Sequence, residues 1–330
     1  MTAWPSVGVV IPTRGDRPGL LREAVEAALT QDYPGPLSIV VVTDAPTQPP
    51  LPGSSPALGG PVLSDGSWSD GPASGVPVLP GCLPSEASTR VHVMPNARTP
   101  GLPGARNTGI GACSTDLVAF CDDDDVWLPG KLTAQVGALV AGGGEFASCA
   151  IEVEHGRHRV PRPAGTETVT VADLVRSRMV MVHSSTFLFR RGSLWVDESA
   201  PGGQNEDWDL ALRAARRRPI IHVDRPLVRV RWGGTSYYAA RWADRIAGLE
   251  WMLARHPDLT ADPRGAARIY GQLAFAYAAL GRRREAARWA LRTFRTRPGE
   301  PRTPIALAVA ARIIPAQTVL TLLHKRGHGI

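Results

Sequence analysis

Four consecutive carboxylates, Asp122, Asp123, Asp124 and Asp125, follow an apolar run at 117–121 and precede Val126, Trp127 and Leu128. Adjacent anions repel one another, so such a turn must be solvated or neutralised. Oxygen donors crowded at the end of an apolar segment suit a hard divalent cation such as Mg2+ or Mn2+. Asp122 and Asp124, two residues apart, can address one ion and leave coordination sites for phosphate oxygens. The same letters also describe an acidic turn that simply faces water. An EF-hand does not fit, because Val126 falls at its third ligand position and Gly130 outside its required turn. A second acidic cluster, Glu206, Asp207 and Asp209, opens a helical pattern that runs to Arg217. Taken alone, Asn205 or Asp207 reads there as a helix cap. His155 and His158 flank Gly156 and read as a turn rather than a ligand pair. Cys82, Cys113, Cys121 and Cys149 form no CxxC pair, which favours small core residues over zinc or a redox couple.

For these groups to converge, rigid elements must carry them. Residues 6–12 and 37–43 are continuous apolar runs rich in β-branched residues, the pattern of strands buried on both faces. Between them, 18–31 has helical spacing with Pro18 near its start. A strand–helix–strand opening predicts an α/β unit with parallel strands, whose ligands gather at the strands' carboxyl ends. Further strands are predicted at 90–94, 116–120, 146–153 and 184–190, with two short ones separated by Pro226 within 220–232. Helices are predicted at 101–113, 130–141 and 207–217. Beyond about residue 236 the pattern is helical, with one tetratricopeptide-like hairpin over 267–301.

A length of 330 residues allows two domains at most, or one large domain with an appendage. Residues 46–89 hold ten of the chain's 30 prolines and read as a flexible Pro/Gly/Ser-rich insertion. The net charge of +7 is unevenly spread. Residues 1–200 carry 14 basic and 20 acidic groups, whereas 201–330 carry 23 and 10. An acidic first half argues against a plain nucleic-acid binder, and no nucleic-acid partner is expected. The N-terminal MTAWPSVGVVIPTRGD lacks a basic stretch before its apolar run, and no apolar run reaches about 18 residues. A cytoplasmic protein is expected. The tail at 305–326 is apolar with a basic end but is interrupted by Arg312 and Pro315, so it suits either attachment at the inner membrane surface or ordinary packing.

Five segments in order, VVIPTRG at 9–15, VVVTDA at 40–45, GARNTGI at 104–110, FCDDDDVWLPGKL at 120–132 and NEDWDLALR at 205–213, resemble the family 2 glycosyltransferases of GT-A fold. The resemblance covers roughly residues 6–235. It implies a mixed, mainly parallel sheet flanked by helices over 1–235, with a helical extension over 236–330. It implies an inverting transfer of a sugar from a nucleotide-diphosphate donor to an acceptor hydroxyl, assisted by Mn2+ or Mg2+. By residue, it implies nucleotide-sugar contacts from Pro12, Thr13, Arg14, Asp44, Arg106, Asn107 and Asp123, and metal contacts from Asp122 and Asp124. Asp207 becomes the general base. Glu206, His183 and Arg231 fall on the acceptor or supporting side. From the letters themselves, Arg229, Arg231 and the glycine-bearing residues 232–236 read either as a mobile cover or as a plain β-turn after Trp232. Thr43 and Ala45 depart from the family's usual acidic and Gly/Asn–Ser pattern, which leaves the base that is read undefined. The acceptor expected is a hydroxyl-bearing glycan, lipid-linked molecule or small molecule, with an anionic membrane surface as a further partner to be tested. Two other classes compete: a nucleotidyltransferase that makes sugar nucleotides, for which TRGDRPG is a poor phosphate loop, and a noncatalytic scaffold using the helical tail.

Overall fold

The computed structural model describes residues 4–44, 89–232 and 241–325. The insertion predicted at 46–89 lies outside them save for its last residue, as do residues 233–236 of the predicted cover. The chain opens with β1 (Val7–Thr13), α1 (Pro18–Leu29) and β2 (Leu37–Thr43), and resumes with β3 (Val91–Pro95). Next come α2 (Leu102–Ala112), β4 (Leu117–Phe120), β5 (Val126–Trp127) and α3 (Lys131–Ala141). A hairpin of β6 (Phe146–His155) and β7 (His158–Arg162) turns at Gly156 (φ 59°), as the His-Gly-Arg-His letters suggested. β8 (Thr168–Val169), α4 (Val171–Arg176), β9 (Leu188–Arg190), α5 (Glu206–Arg217) and β10 (Ile220–Arg231) complete the sheet region.

The strands form one sheet in the order β3-β2-β1-β4-β9-β6-β10-β5. Neighbours from β3 to β4 are parallel, β9 runs antiparallel to both β4 and β6, and β10 is parallel to β6. β1 is apolar throughout because both its faces are covered. Val10 joins one hydrophobic cluster, with α2, α5 and the C-terminal helices, while Val7, Val9 and Ile11 join another, with α1 and α3. Gly109 is what lets α2 lie against the sheet: a Cβ there would stand 2.2 Å from Val10 Cγ1. One turn earlier on the same helix stands Arg106.

Two sequence expectations change. Residues 184–190 are not one strand, since Ser184–Thr186 form a 3-10 turn in which Thr186 bonds back to His183, leaving only β9 extended. Residues 220–232 form one strand rather than two; Pro226 shifts its register against β6 without ending it.

The C-terminal helices are α6 (Trp242–Arg255), α7 (Pro263–Ala279), α8 (Arg283–Thr296), α9 (Arg302–Ala310) and α10 (Ala316–Lys325). α7 and α8 form the hairpin that the letters at 267–301 predict, turning at Gly281 (φ 75°). α7 docks closely on α4: a Cβ on Gly265 would meet the Val175 carbonyl oxygen at 1.9 Å. Leu249, Met252, Leu273, Phe275, Ala306 and Leu320 share one buried cluster with Val10, Phe120 and Trp208 of the sheet region. Among the described residues, no helix is long and apolar enough to cross a membrane.

Candidate active site

Because β1, β2 and β4 are parallel neighbours, the loops leaving their carboxyl ends meet. Asp44 N–H donates to the Thr13 carbonyl at 2.7 Å, and Cys121 N–H to the Val10 carbonyl at 3.1 Å. The acidic loop that follows β4 is thus held beside the end of β1. Thr13 Oγ1 donates to Asp123 at 2.6 Å, and Pro12 lies buried behind it. Burial pushes the Asp123 carboxyl up to about 6, against the opposing pull of Thr13 and Arg17. Arg17, just before α1, donates to Asp123 at 2.6 Å and to Asp124 at 2.5 Å. Arg14 pairs with Asp16 at the exposed rim. Asp44 accepts from Asn96 at 2.7 Å and from Gly101 N–H at 2.8 Å, so it braces the start of α2.

Arg106, 1% exposed, joins two sequence-distant clusters. One arm donates to Asp122 at 2.5 Å and the other pairs with Glu206. Its guanidinium also lies 5.3 Å from the centre of the Phe120 ring. Asp122 further accepts from Ser184 Oγ at 2.8 Å, while its backbone N–H donates to Ser185 Oγ at 2.9 Å. Ser185 Oγ in turn donates to the buried Asp125 at 2.6 Å, and His183 Nδ1 lies 3.6 Å from the same carboxylate. One donor atom each from Asp122, Asp125 and His183 lie within 4.8 Å of one another. Two carboxylates and an imidazole form a donor set of the kind that holds a divalent cation. The fit has an energetic side as well. Burial, with the charges of Asp124 and Asp122, drives the Asp125 carboxyl well above the ordinary range, against the weaker opposing pull of Ser185 and Arg231. The structure thus gathers Asp122 with Asp125 and His183, and holds the Asp124 carboxylate on the Arg17 side.

Glu206 and Asp207 open α5, and the expected capping role changes. Asn205 sits in the left-handed region (φ 63°) and makes no side-chain cap. Asp207 instead accepts from Arg178 at 2.6 Å and from the Trp208 N–H at 2.8 Å. Burial alone would raise the Asp207 carboxyl, but Arg178 and His183 hold it below the ordinary range, so it is ionised at neutral pH. Glu206 moves the other way: burial pushes it upward despite Arg106, with Asp207 and Asp122 adding repulsion. Glu206 Oε2 is buried with no partner among the described residues. Arg231 donates to the Asp124 carbonyl at 3.1 Å and pairs with Glu23, which ties β10 to the acidic loop; Arg229 pairs with Glu152 at 2.9 Å.

Thr13, Arg106, Asp122, Asp123, Asp124, His183, Glu206, Asp207 and Arg231 therefore converge. Asn107 does not: its amide bonds to Glu198 at 2.7 Å and to both backbone groups of Val196 at 2.9 Å. Sequence reasoning missed Arg17, Asp125 and Arg178. Asp125 sits inside a recognised segment, one residue beyond Asp124, whereas Arg17 lies two residues past the end of VVIPTRG. Arg178 lies in RSRMV, which carries no pattern that separates it from other arginines.

The model for "Glycosyl transferase family 2" matches residues 63–196. The Escherichia coli UDP-Glc:alpha-D-GlcNAc-diphosphoundecaprenol beta-1,3-glucosyltransferase WfgD is 25% identical over 91 residues, covering 28% of this chain and 36% of that protein. The chain thus spans about a third of the length of this curated relative. Among solved structures, S. aureus TarS matches with a TM-score of 0.52 at 14% identity, over 93% of this chain and 53% of that one. Its 1–349 portion in complex with UDP-GlcNAc matches with a TM-score of 0.54 at 13% identity, over 98% and 92%. The mannosyltransferase PcManGT from Pyrobaculum calidifontis, in complex with GDP-Man and Mn2+, matches with a TM-score of 0.50 at 20% identity, over 97% and 80%. With the mixed sheet, the acidic loop after β4 and the Glu-Asp pair opening α5 all in place, the chain has the GT-A fold and is similar over residues 63–196 to glycosyltransferase family 2.

Proposed function

We propose that this chain transfers a sugar from a nucleotide-diphosphate donor to an acceptor hydroxyl, with inversion at the anomeric carbon. The observation that carries the reading is the Arg106 bridge, which unites the acidic loop and the Glu206–Asp207 pair in one buried site. Nucleotide sugars in the similar TarS and PcManGT complexes, and Mn2+ in the latter, support the donor class and a divalent cation.

Asp122, Asp125 and His183, with Asp124 beside them, would hold Mn2+ or Mg2+. The cation would supply positive charge for the donor's diphosphate as it leaves. Pro12, Thr13, Arg14, Asp44 and Asp123 line the donor side, and Arg17 fixes the Asp123 and Asp124 carboxylates. Asp207 takes the proton of the acceptor hydroxyl as that oxygen attacks the anomeric carbon from the face opposite the leaving diphosphate. The C–O bond to the diphosphate breaks as the new one forms, so no covalent enzyme intermediate is needed. Glu206 and His183 flank the base and orient the acceptor, while Arg106 keeps base and donor loop in fixed relation.

Replacing Asp207 by Asn tests this directly. Transfer should fall by about 10²–10⁴-fold with UDP or GDP binding in Mn2+ unchanged. Normal transfer by the Asn variant would overturn the base assignment.

For its location, we place the protein on the cytoplasmic side, with α8 facing an anionic membrane surface. Arg284, Arg288 and Arg295 recur on the exposed face of α8 beside Leu291 and Phe294, which are 49% and 51% exposed. Flotation on phosphatidylglycerol vesicles should be lost in Arg284→Glu/Arg288→Glu; equal flotation would reject the placement.

A further inference from the structure

A row of arginines runs from the proposed base into the helical extension, along one face of α7. Arg178 holds Asp207 at 2.6 Å, and its neighbour Ser177 accepts from Arg268 of α7 at 3.4 Å. One turn on, the Arg302 stem crosses Gly271: its Cβ and Cδ stand 2.7 and 3.1 Å from where a Gly271 Cβ would project. Glycine at that position is what admits the arginine. One turn further, Phe275 packs on Trp242 of α6 with ring centres 5.6 Å apart. Arg245, a turn along α6, lies 5.9 Å from that Trp242 ring. Residues 268, 271 and 275 share one helix face, and the charge of Arg302 is felt at both Arg245 and Arg268, and that of Arg178 at Arg268.

Their charge is not balanced from within. Arg178 has Asp207 and Arg302 has Glu300, whose charge also reaches Arg268, but among the described residues no carboxylate forms an ion pair with Arg245 or Arg268. The Nε atoms of Arg268 and Arg302 are buried without a partner. Burial, together with the charge of Arg302, depresses both Arg245 and Arg268 to about 10, and Arg178 adds to the effect on Arg268. Like charges kept close and partly dry are costly unless an anion completes them.

We infer that Arg178, Arg245, Arg268 and Arg302 form a subsite for a phosphate or diphosphate group carried by the acceptor. Planar forked donors meeting from three helices and a loop match phosphate oxygens, and the row starts at the group proposed to deprotonate the acceptor. The assignment rests on the glycosyl-transfer reading only in giving the anion to the acceptor. A lipid-linked diphosphate and a phosphate on a glycan chain share this chemistry.

Titration calorimetry in EDTA with pyrophosphate and with inorganic phosphate tests it, since without a metal the acidic loop cannot hold the probe. Wild type should bind at least one probe, and its preference separates a diphosphate-bearing acceptor from a monophosphate-bearing one. Arg245→Gln should weaken binding about tenfold, and Arg245→Gln/Arg268→Gln further. Arg245 makes no hydrogen bond that the substitution would break. Unliganded Arg245→Gln should therefore melt at or above the wild-type temperature while losing the upshift that the probe gives. Binding should persist with UDP and Mn2+ saturating. Failure of wild type to bind either probe, unchanged affinity in the variants, or displacement by the nucleotide would each overturn the subsite. Failure of UDP and GDP to bind in Mn2+ would instead overturn the donor reading and leave the anion result standing.

Discussion

The acidic loop after β4 and the arginine row along α7 pose the same electrostatic problem with opposite signs. In the first, Asp122 to Asp125 crowd together, and burial with the neighbouring carboxylates outweighs what Ser185 and Arg231 offer Asp125. In the second, Arg245 and Arg268 crowd against Arg302 with no carboxylate of their own. A third cluster shows what balance looks like. Asp209 is fully buried and accepts from Arg213 at 2.8 Å, Arg255 at 2.5 Å and His256 at 2.9 Å, and Asp197, 2.7 Å from Arg255, supplies the second negative charge. That cluster is complete and fastens α5 to α6. Charge of one sign left over in a buried cluster thus marks where a ligand of the other sign belongs, while a neutral network marks a strut.

The largest expected effect falls on the acidic side. Asp122→Ala should lower metal-dependent kcat/KM by about 10³-fold or more, roughly 4 kcal/mol, with a matching loss of Mn2+ affinity. Activity unchanged at all Mn2+ levels would break the contrast. Arg106→Met should destabilise the fold by about 3 kcal/mol, because it strands Asp122 and Glu206 together; denaturant unfolding at pH 7 measures it. In the balanced cluster, His256, Arg213 and Arg255 hold the Asp209 carboxyl down at about 2 although burial opposes them. Its contribution of about 2 kcal/mol is full above the unfolded value near pH 4 and lost as pH falls toward 2. The stability gap between wild type and Asp209→Asn should therefore be wide at pH 7 and narrow by pH 2.5. The smallest effect concerns the joint between the regions. Arg178→Gln removes a charge that depresses Asp207, so the acidic limb of the rate–pH profile should move to higher pH. An unmoved limb would mean that Arg178 does not govern the base.

Much of this was legible in the letters. The buried strands, the acidic loop and the Glu-Asp pair each have a local signature, either a period or a run, and the fold brings them where a parallel sheet must. Arg106 was legible as a site residue but not as a bridge, since its partners lie 16 and 100 positions away. Asn107, its neighbour, looked equivalent and is not, because adjacent helix positions point some 100° apart and Asn107 faces the loop at Val196. Arg178, Arg245, Arg268 and Arg302 were invisible as a group. Among 35 arginines, nothing local separates one that crosses a glycine on another helix from one that faces water. The cap expected of Asn205 failed for a related reason: its left-handed backbone is set by the approach to α5, which composition does not encode.

The sequence map invites a cut near residue 235, yet Val10 and Phe120 of the sheet lie in one apolar cluster with Phe275, Ala306 and Leu320. Melting should accordingly be all-or-none, with a single calorimetric peak whose van't Hoff and calorimetric enthalpies agree. A chain ended at residue 235 should bind the dye ANS and precipitate rather than survive as a smaller folded unit. Any exchange of the helical extension for another would have to carry the matching face of the sheet with it.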